Sequence, residues 1–203
     1  MLEQPKLIAI LRQVKPEHVI SIAEALVDEG ITWMEVSLSE QEMGLACIRQ
    51  LSQRFGEKIH LGVGTVLTPS QVDDAHAVGS RYIITPGWDR ELVRYVKSKS
   101  LPVFPGVLTP GDVMQAAAEG ITTVKLFPAA ALGPDYVKSL RGPFPNLSFM
   151  AVGGITKDNL HHYKEAGCSS FAIGSELVPR GATEKDLPHI RENANVFIQQ
   201  VEG

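Results

Sequence analysis

The feature of this sequence that most constrains its fold is a regular alternation of short apolar runs with longer amphipathic stretches. The runs are rich in β-branched residues, and successive runs begin 25, 28, 22, 21, 20, 25 and 23 residues apart, the length of a compact strand–loop–helix unit. The eight runs are residues 7–11, 32–38, 60–64, 82–85, 103–106, 123–126, 148–152 and 171–174. Eight such units predict a parallel (β/α)8 barrel, the TIM barrel fold.

The ends of the intervening helices follow the same repeat. Pro16, Pro69 and Pro110 open three of the helical segments and Asp158 opens a fourth; Gly30, Gly79, Gly120 and Gly167 follow their ends. An open, doubly wound sheet is the alternative architecture, but that fold places its phosphate-binding glycines after the first strand. Here Gly153 and Gly154 follow the seventh run, and Gly174 and Ser175 lie at the end of the eighth. Since no linker or low-complexity segment marks a boundary, we expect a single compact domain over residues 1–203.

Composition limits the classes of function. The net charge is −4, from 19 Lys and Arg against 23 Asp and Glu, which argues against nucleic acid or an anionic membrane as the main partner. No uncharged stretch reaches the roughly 18 residues of a membrane span, and the apolar run at 7–11 is too short for a signal peptide. The two cysteines, Cys47 and Cys168, lack metal-site spacing. We therefore expect a cytoplasmic protein.

Two charged residues lie inside apolar runs, Glu35 in the second and Lys125 in the sixth. Each alternates with the more apolar residues of its run, which should face the helices, so both side chains should face the barrel axis. The second and sixth strands are opposite in a ring of eight and can contribute to one interior layer. A structural ion pair is the alternative; because apolar packing usually stabilises as well, a catalytic pair is favoured.

A buried lysine permits a particular chemistry. Lysine normally has a pKa of about 10.4 and is not nucleophilic when protonated. Desolvation lowers that pKa to roughly 7–8 in catalytic cases, which releases a neutral amine able to attack a carbonyl. Glu35 would then move protons as the resulting Schiff base forms and reacts. The pair Lys125 and Glu35 therefore indicates Schiff-base chemistry on a keto compound.

A second group of residues indicates anion binding. Gly153 and Gly154 follow the seventh run, and Gly174 and Ser175 lie at the end of the eighth, where barrels commonly bind phosphate. Glycines let backbone N–H groups approach an anion, and Arg12, at the end of the first strand, adds a charged donor.

Several motifs, taken together, resemble one enzyme family. They are IAILR at 8–12, the strand carrying Glu35, GVGTV at 62–66, TPG at 85–87, FPGV at 104–107, VKLFPA at 124–129 and VGG at 152–154. In this order, and over essentially the whole chain, they are similar to the 2-keto-3-deoxy-6-phosphogluconate and 4-hydroxy-2-oxoglutarate aldolases. The resemblance implies a class I aldolase on a TIM barrel that acts on a phosphorylated 2-keto acid, forms a homotrimer and uses no metal or other cofactor.

The resemblance also implies a role for each candidate residue. Lys125 matches the Schiff-base lysine and Glu35 the general acid and base. Thr65 and Pro86 match residues around the pyruvate half of the substrate, and Phe127 packs beside the lysine. The remaining matches are a substrate-binding arginine, Arg12, and a phosphate site formed by Gly153, Gly154, Gly174 and Ser175.

Two departures bear on the substrate. Gluconate-type members of the family carry an arginine where this chain has Ser39, and they tend to have Thr where it has Val152. The galactonate-type relatives are more similar at both positions, which favours the 6-phosphogalactonate substrate slightly; one or two contacts worth about 1–3 kcal/mol can decide such a preference.

Two other classes of function stay open at this stage. One is a phosphosugar isomerase or epimerase that uses Lys125 only as a charge, and the other is a barrel that binds a phosphorylated ligand without catalysis. A metal enzyme is disfavoured, because His161 and His162 are adjacent and lack the spacing of a zinc-binding motif.

Overall fold

The structure, a computed structural model, describes residues 4–203. Over these residues, nine strands form one parallel sheet in the order β5-β4-β3-β2-β1-β9-β8-β7-β6. The strands are Leu7–Leu11 (β1), Trp33–Ser37 (β2), His60–Gly64 (β3), Tyr82–Ile84 (β4), Val103–Phe104 (β5), Gly106–Val107 (β6), Thr123–Leu126 (β7), Ser148–Val152 (β8) and Cys168–Ile173 (β9). The α-helices are Pro16–Asp28 (α1), Gln41–Phe55 (α2), Pro69–Ala77 (α3), Arg90–Ser98 (α4), Pro110–Ala118 (α5), Ala129–Leu132 (α6), Pro134–Arg141 (α7), Leu160–Glu165 (α8) and Leu187–Glu202 (α9).

The sheet closes into a barrel through a single residue. The fifth apolar run, expected as one strand, is divided by Pro105 into β5, which pairs with β4, and β6, which pairs with β7. Proline has no N–H to donate to a sheet, while the Pro105 carbonyl accepts the Lys125 backbone N–H at 2.9 Å. β5 and β6, the strands at the two ends of the sheet order, are thus consecutive in the chain, which closes the sheet. The predicted TIM barrel is confirmed, and the open sheet is excluded.

Three other strands have limits that differ from those predicted. β2 and β4 are shorter than the apolar runs 32–38 and 82–85, whereas β9 begins three residues before the run at 171. The polar residues Ser169 and Ser170 conceal this start in the sequence. Backbone pairing nevertheless continues, since Cys168 pairs with Phe149 across an irregularity in β8.

Polar caps begin several of the helices. The side chains of Thr68, Asp89 and Thr109 accept the backbone N–H of Gln71, Leu92 and Asp112, respectively. The four glycines predicted to end helices all have positive φ angles, between 74° and 110°. The helix expected to begin at Asp158 begins two residues later, at Leu160, because residues 157–159 form a turn.

Two separate apolar clusters fill the molecule. The larger lies between the sheet and the helices and includes Met34, Val36 and Leu38, as the alternation predicts. The smaller fills the barrel interior and consists of Ile8, Ile10, Trp33, Tyr82, Ile84, Phe104, Met150, Val152 and Ala172.

An aromatic floor, formed by Trp33, Tyr82 and Phe104, closes the interior at the amino-terminal ends of the strands. Trp33 and Tyr82, whose ring centroids are 5.2 Å apart, are the first residues of β2 and β4, and Phe104 packs edge-on against Tyr82 at 5.6 Å. The buried Tyr82 hydroxyl donates to the Met34 carbonyl at 2.8 Å. The open part of the interior is therefore at the carboxyl ends of the strands. No helix among residues 4–203 is long and apolar enough to cross a membrane.

Candidate active site

A cavity of about 400 Å³ lies at the carboxyl ends of the strands, where TIM barrel enzymes carry their active sites. All ten candidate residues from the sequence line it: Arg12, Glu35, Thr65, Pro86, Lys125, Phe127, Gly153, Gly154, Gly174 and Ser175. The structure thus brings together side chains that are as much as 163 positions apart in the chain.

Glu35 lies on the interior face of β2 and is 2% exposed. Its Oε2 atom is buried without a hydrogen-bond partner. Gly64, on the neighbouring β3, provides the space for the carboxyl group, because a Cβ at Gly64 would lie 1.6 Å from Oε1. Burial raises the pKa of Glu35, and the positive charges of Lys125 and Arg12 oppose that rise without cancelling it. The site therefore favours a protonated carboxyl group that can give up its proton.

Lys125 enters the same interior from β7 and is 6% exposed. Its Nζ atom lies 5.0 Å from the ring centroid of Phe127. Burial lowers the pKa of Lys125, Arg12 lowers it further, and the carboxylate of Glu35 acts in the opposite direction. Burial thus shifts both Glu35 and Lys125 toward their neutral forms, a carboxylic acid and an amine, which are the forms that general acid catalysis and nucleophilic attack require.

Thr65 follows β3 and has φ 61°, a left-handed backbone conformation that is unusual for a β-branched residue. Such strain costs on the order of 1–3 kcal/mol and is often found at functional sites. The Thr65 hydroxyl lies 3.0 Å from the hydroxyl of the buried Ser37. Nearby, the Thr85 hydroxyl donates to the Gly87 carbonyl and accepts the Gly106 N–H, which fixes the turn that contains Pro86.

The glycine pairs form the outer end of the cavity. Gly154 has φ 74°, and a Cβ there would lie 2.4 Å from the Cβ of Ala130, so a larger residue would push the loop away from α6. Its carbonyl accepts the Asn159 side-chain amide at 2.9 Å. Gly174 accepts two backbone N–H groups of the following turn, and Ser175 is exposed. The buried Nε atom of Arg12 has no protein hydrogen-bond partner.

Six further residues line the cavity: Ile10, Val152, Ile155, Thr156, Ala172 and Glu176. The strand period of two identifies part of this set, because Ile10 lies two residues before Arg12 and Ala172 two before Gly174. The sequence distinguishes Val152 only because the branches of the family differ at this position. Glu176 is the second acidic residue of the cavity lining, after Glu35. No sequence pattern indicated it.

The sequence of this chain matches a known family of enzymes. The sequence model described as KDPG and KHG aldolase matches residues 1–192. The chain belongs to this family of aldolases. It is 34% identical to the 2-dehydro-3-deoxy-6-phosphogalactonate aldolase of Escherichia coli (strain K12) over 194 residues, which covers 95% of this chain and 93% of that protein.

Solved structures give the same result. A structure described as native KDPGal superposes with a TM-score of 0.89 at 31% identity, covering 100% of this chain and 98% of the other. A KDPG aldolase from Legionella pneumophila, captured with pyruvate as a covalent carbinolamine, superposes with a TM-score of 0.81 at 30% identity, covering 97% and 92%. The predicted family is confirmed, and the likeness to phosphogalactonate relatives agrees with the preference drawn from Ser39 and Val152.

Proposed function

We propose that this family member is a class I aldolase that cleaves a 2-keto-3-deoxy-6-phospho sugar acid to pyruvate and glyceraldehyde 3-phosphate. The phosphogalactonate form is the favoured substrate, and 4-hydroxy-2-oxoglutarate, which would give pyruvate and glyoxylate, is a further one. The observation that carries the proposal is the presence of Lys125 and Glu35 in one buried cavity, with burial favouring the uncharged form of each.

In the first step, the neutral Nζ of Lys125 attacks the C2 carbonyl carbon of the keto acid. A proton passes from the nitrogen to the oxygen, which becomes the hydroxyl of a neutral carbinolamine. Glu35 protonates this hydroxyl, water leaves, and a protonated imine forms between Lys125 and C2. Phe127, whose ring lies beside Nζ, excludes water from one side of the reacting atoms.

In the second step, the protonated imine accepts the electron pair of the C3–C4 bond. Glu35, now a carboxylate, removes the proton of the C4 hydroxyl as that bond breaks, and glyceraldehyde 3-phosphate forms. Glu35, protonated by that step, protonates the enamine at C3 to give the imine again. Water then adds to C2 of the imine and gives a proton back to Glu35, and the carbinolamine collapses to pyruvate and neutral Lys125. Each proton that Glu35 gives is recovered within the cycle, which requires no metal or other cofactor.

The two ends of the cavity bind the two ends of the substrate in this proposal. Thr65 and Pro86 contact the pyruvate half, while Gly153, Gly154, Gly174 and Ser175 donate to the phosphate. Arg12 supplies the positive charge, since its buried Nε atom is free of protein partners.

The proposal extends to the state of the protein in the cell. We infer a homotrimer, and the exposed apolar side chains of Leu67, Leu108 and Met114 are candidates for its interface. We also propose a single domain over residues 1–203, since all described strands belong to one sheet, and a cytoplasmic location, in keeping with the unpaired thiols of Cys47 and Cys168.

Borohydride reduction in the presence of pyruvate tests the mechanism. We expect a reduced pyruvate adduct on the peptide that contains Lys125, and no adduct in a Lys125→Met variant. Lys138→Met, which removes an exposed lysine, should form the adduct normally. An unmodified Lys125 at saturating pyruvate would refute the proposal.

Substrate turnover separates the remaining classes. Pyruvate release should be compared for the gluconate-derived acid, the galactonate-derived acid and 4-hydroxy-2-oxoglutarate. Turnover of a phosphosugar without a trappable imine would indicate an isomerase or epimerase, and stoichiometric binding without pyruvate release would indicate a binding protein.

A further inference from the structure

Ser37 is a buried hydroxyl beside the cavity that the proposed mechanism does not use. It lies on β2 two residues after Glu35 and is 4% exposed. The register of β2 and β3 places it opposite Gly64, the residue before Thr65. Its Oγ atom lies 3.0 Å from the Thr65 Oγ1 atom. Thr65 lines the cavity, and its hydroxyl therefore has a buried protein partner.

The contacts of Ser37 favour one direction for its proton. The backbone N–H of Ser39 donates to Ser37 Oγ at 3.3 Å, so Ser37 already accepts a hydrogen bond. Its own proton has two acceptors in reach, Thr65 Oγ1 at 3.0 Å and Ser39 Oγ at 3.3 Å. Hydrogen bonds between hydroxyl groups normally span about 2.5–3.0 Å, which favours Thr65. Once Ser37 donates to Thr65, the proton of Thr65 is left for a ligand.

We infer that Ser37 is a positioning residue that turns the Thr65 hydroxyl into a donor toward the carboxylate of the bound keto acid. The inference rests on the proposed function, which places that carboxylate at Thr65. Three donors then follow one another toward a negative charge: the Ser39 N–H, the Ser37 O–H and the Thr65 O–H. Hydrogen bonds in such a series polarise and strengthen each other, and the last one is charge-assisted.

The left-handed backbone of Thr65 gives Ser37 a second reason to be in contact with it. Thr65, with its φ angle of 61°, lines the cavity while its hydroxyl stays in contact with Ser37, and a strained conformation persists only where its neighbours hold it. Ser37 thus restrains the position of the hydroxyl as well as the direction of its proton.

The test measures binding of oxamate by calorimetry, because oxamate carries the carboxylate of pyruvate but an amide in place of the ketone and cannot condense with Lys125. We expect Ser37→Ala to weaken binding about tenfold, as for loss of a hydrogen bond that supports a charged group. Ser37→Thr keeps the hydroxyl and should bind within about twofold of wild type. Ser37→Cys, which keeps the volume but donates weakly, replaces the alanine variant if that variant does not fold.

A matched control and a double-mutant cycle separate positioning from a structural role. Ser80 is also a buried serine, 1% exposed, with a hydroxyl that donates to the Tyr82 carbonyl, but it is not among the cavity residues, and Ser80→Ala should bind oxamate normally. Thr65→Val removes the terminal donor, so adding Ser37→Ala to it should weaken binding no further.

Each contrary result overturns the inference: unchanged binding by Ser37→Ala, equal weakening by Ser80→Ala, a full Ser37 effect in the Thr65→Val background, or a wild type that does not bind oxamate. If Ser37→Ala weakens oxamate binding as expected but the wild type forms no reduced pyruvate adduct, the result would support the role of Ser37 and refute the aldolase mechanism.

Discussion

Replacing Gly64 with alanine should displace the carboxyl group of Glu35. The added Cβ would lie 1.6 Å from Glu35 Oε1, 2.3 Å from Cδ and 2.8 Å from Cγ. Real Cβ atoms essentially never approach other heavy atoms within 3.0 Å, so Oε1 must retreat by about 1.4 Å, the difference between 3.0 and 1.6 Å. Glu35 is 2% exposed, so its carboxyl group must move within the cavity that it lines. Overpacking of this kind costs about 1–3 kcal/mol of folding free energy.

A displacement of about 1 Å at a catalytic group can cost about a hundredfold in rate, so we expect Gly64→Ala to lower kcat about a hundredfold. For a chain of this size the melting temperature should fall by roughly 2–4 °C per kcal/mol lost. Gly111→Ala is the matched control, because a Cβ there has no neighbour closer than 3.5 Å, and it should retain wild-type kcat. A folded Gly64→Ala enzyme with kcat close to that of wild type would refute the reasoning.

Three further predictions follow from charge, backbone conformation and burial. Arg12 lowers the pKa of Lys125, so in Arg12→Met that pKa should rise and the acid limb of the pH profile for pyruvate-adduct formation should move to higher pH. Gly154→Ala adds a Cβ 2.4 Å from its neighbour at φ 74° and should raise KM for a phosphorylated substrate while adduct formation with pyruvate alone continues; loss of both would contradict the division of the cavity. Burial raises the pKa of Cys47 to about 11 and that of Cys168 to about 12, so Ellman's reagent at pH 8 should label neither thiol until the protein is unfolded.

The fold could be predicted because its signals are local and repeated. Strand alternation put Glu35 and Lys125 on the interior face, and their positions in the order of strands put them on opposite sides of the ring. The division of the fifth strand at Pro105 was not apparent, since the run 103–106 looks continuous. It depends on which neighbour each half pairs with, and pairing is a property of the closed barrel.

The site was predicted in its composition but not in its details. Residues at strand ends could be assigned to the cavity from the barrel rule alone. The contact between Ser37 and Thr65 could not, because it depends on the left-handed backbone at a threonine, where sequence patterns favour glycine or asparagine. Glu176 follows the last strand in an exposed turn, and nothing in the local sequence distinguishes it from a surface glutamate.

The aromatic floor has a consequence for the kinetics of the proposed reaction. Because Trp33, Tyr82 and Phe104 fill the amino-terminal end of the barrel, both products leave by the carboxyl end, and the three-carbon fragment bound to Lys125 lies deeper than the phosphorylated aldehyde. Release is therefore ordered, with the aldehyde first and pyruvate last. Pyruvate, which then binds the free enzyme, should inhibit competitively against the substrate, and glyceraldehyde 3-phosphate should inhibit noncompetitively.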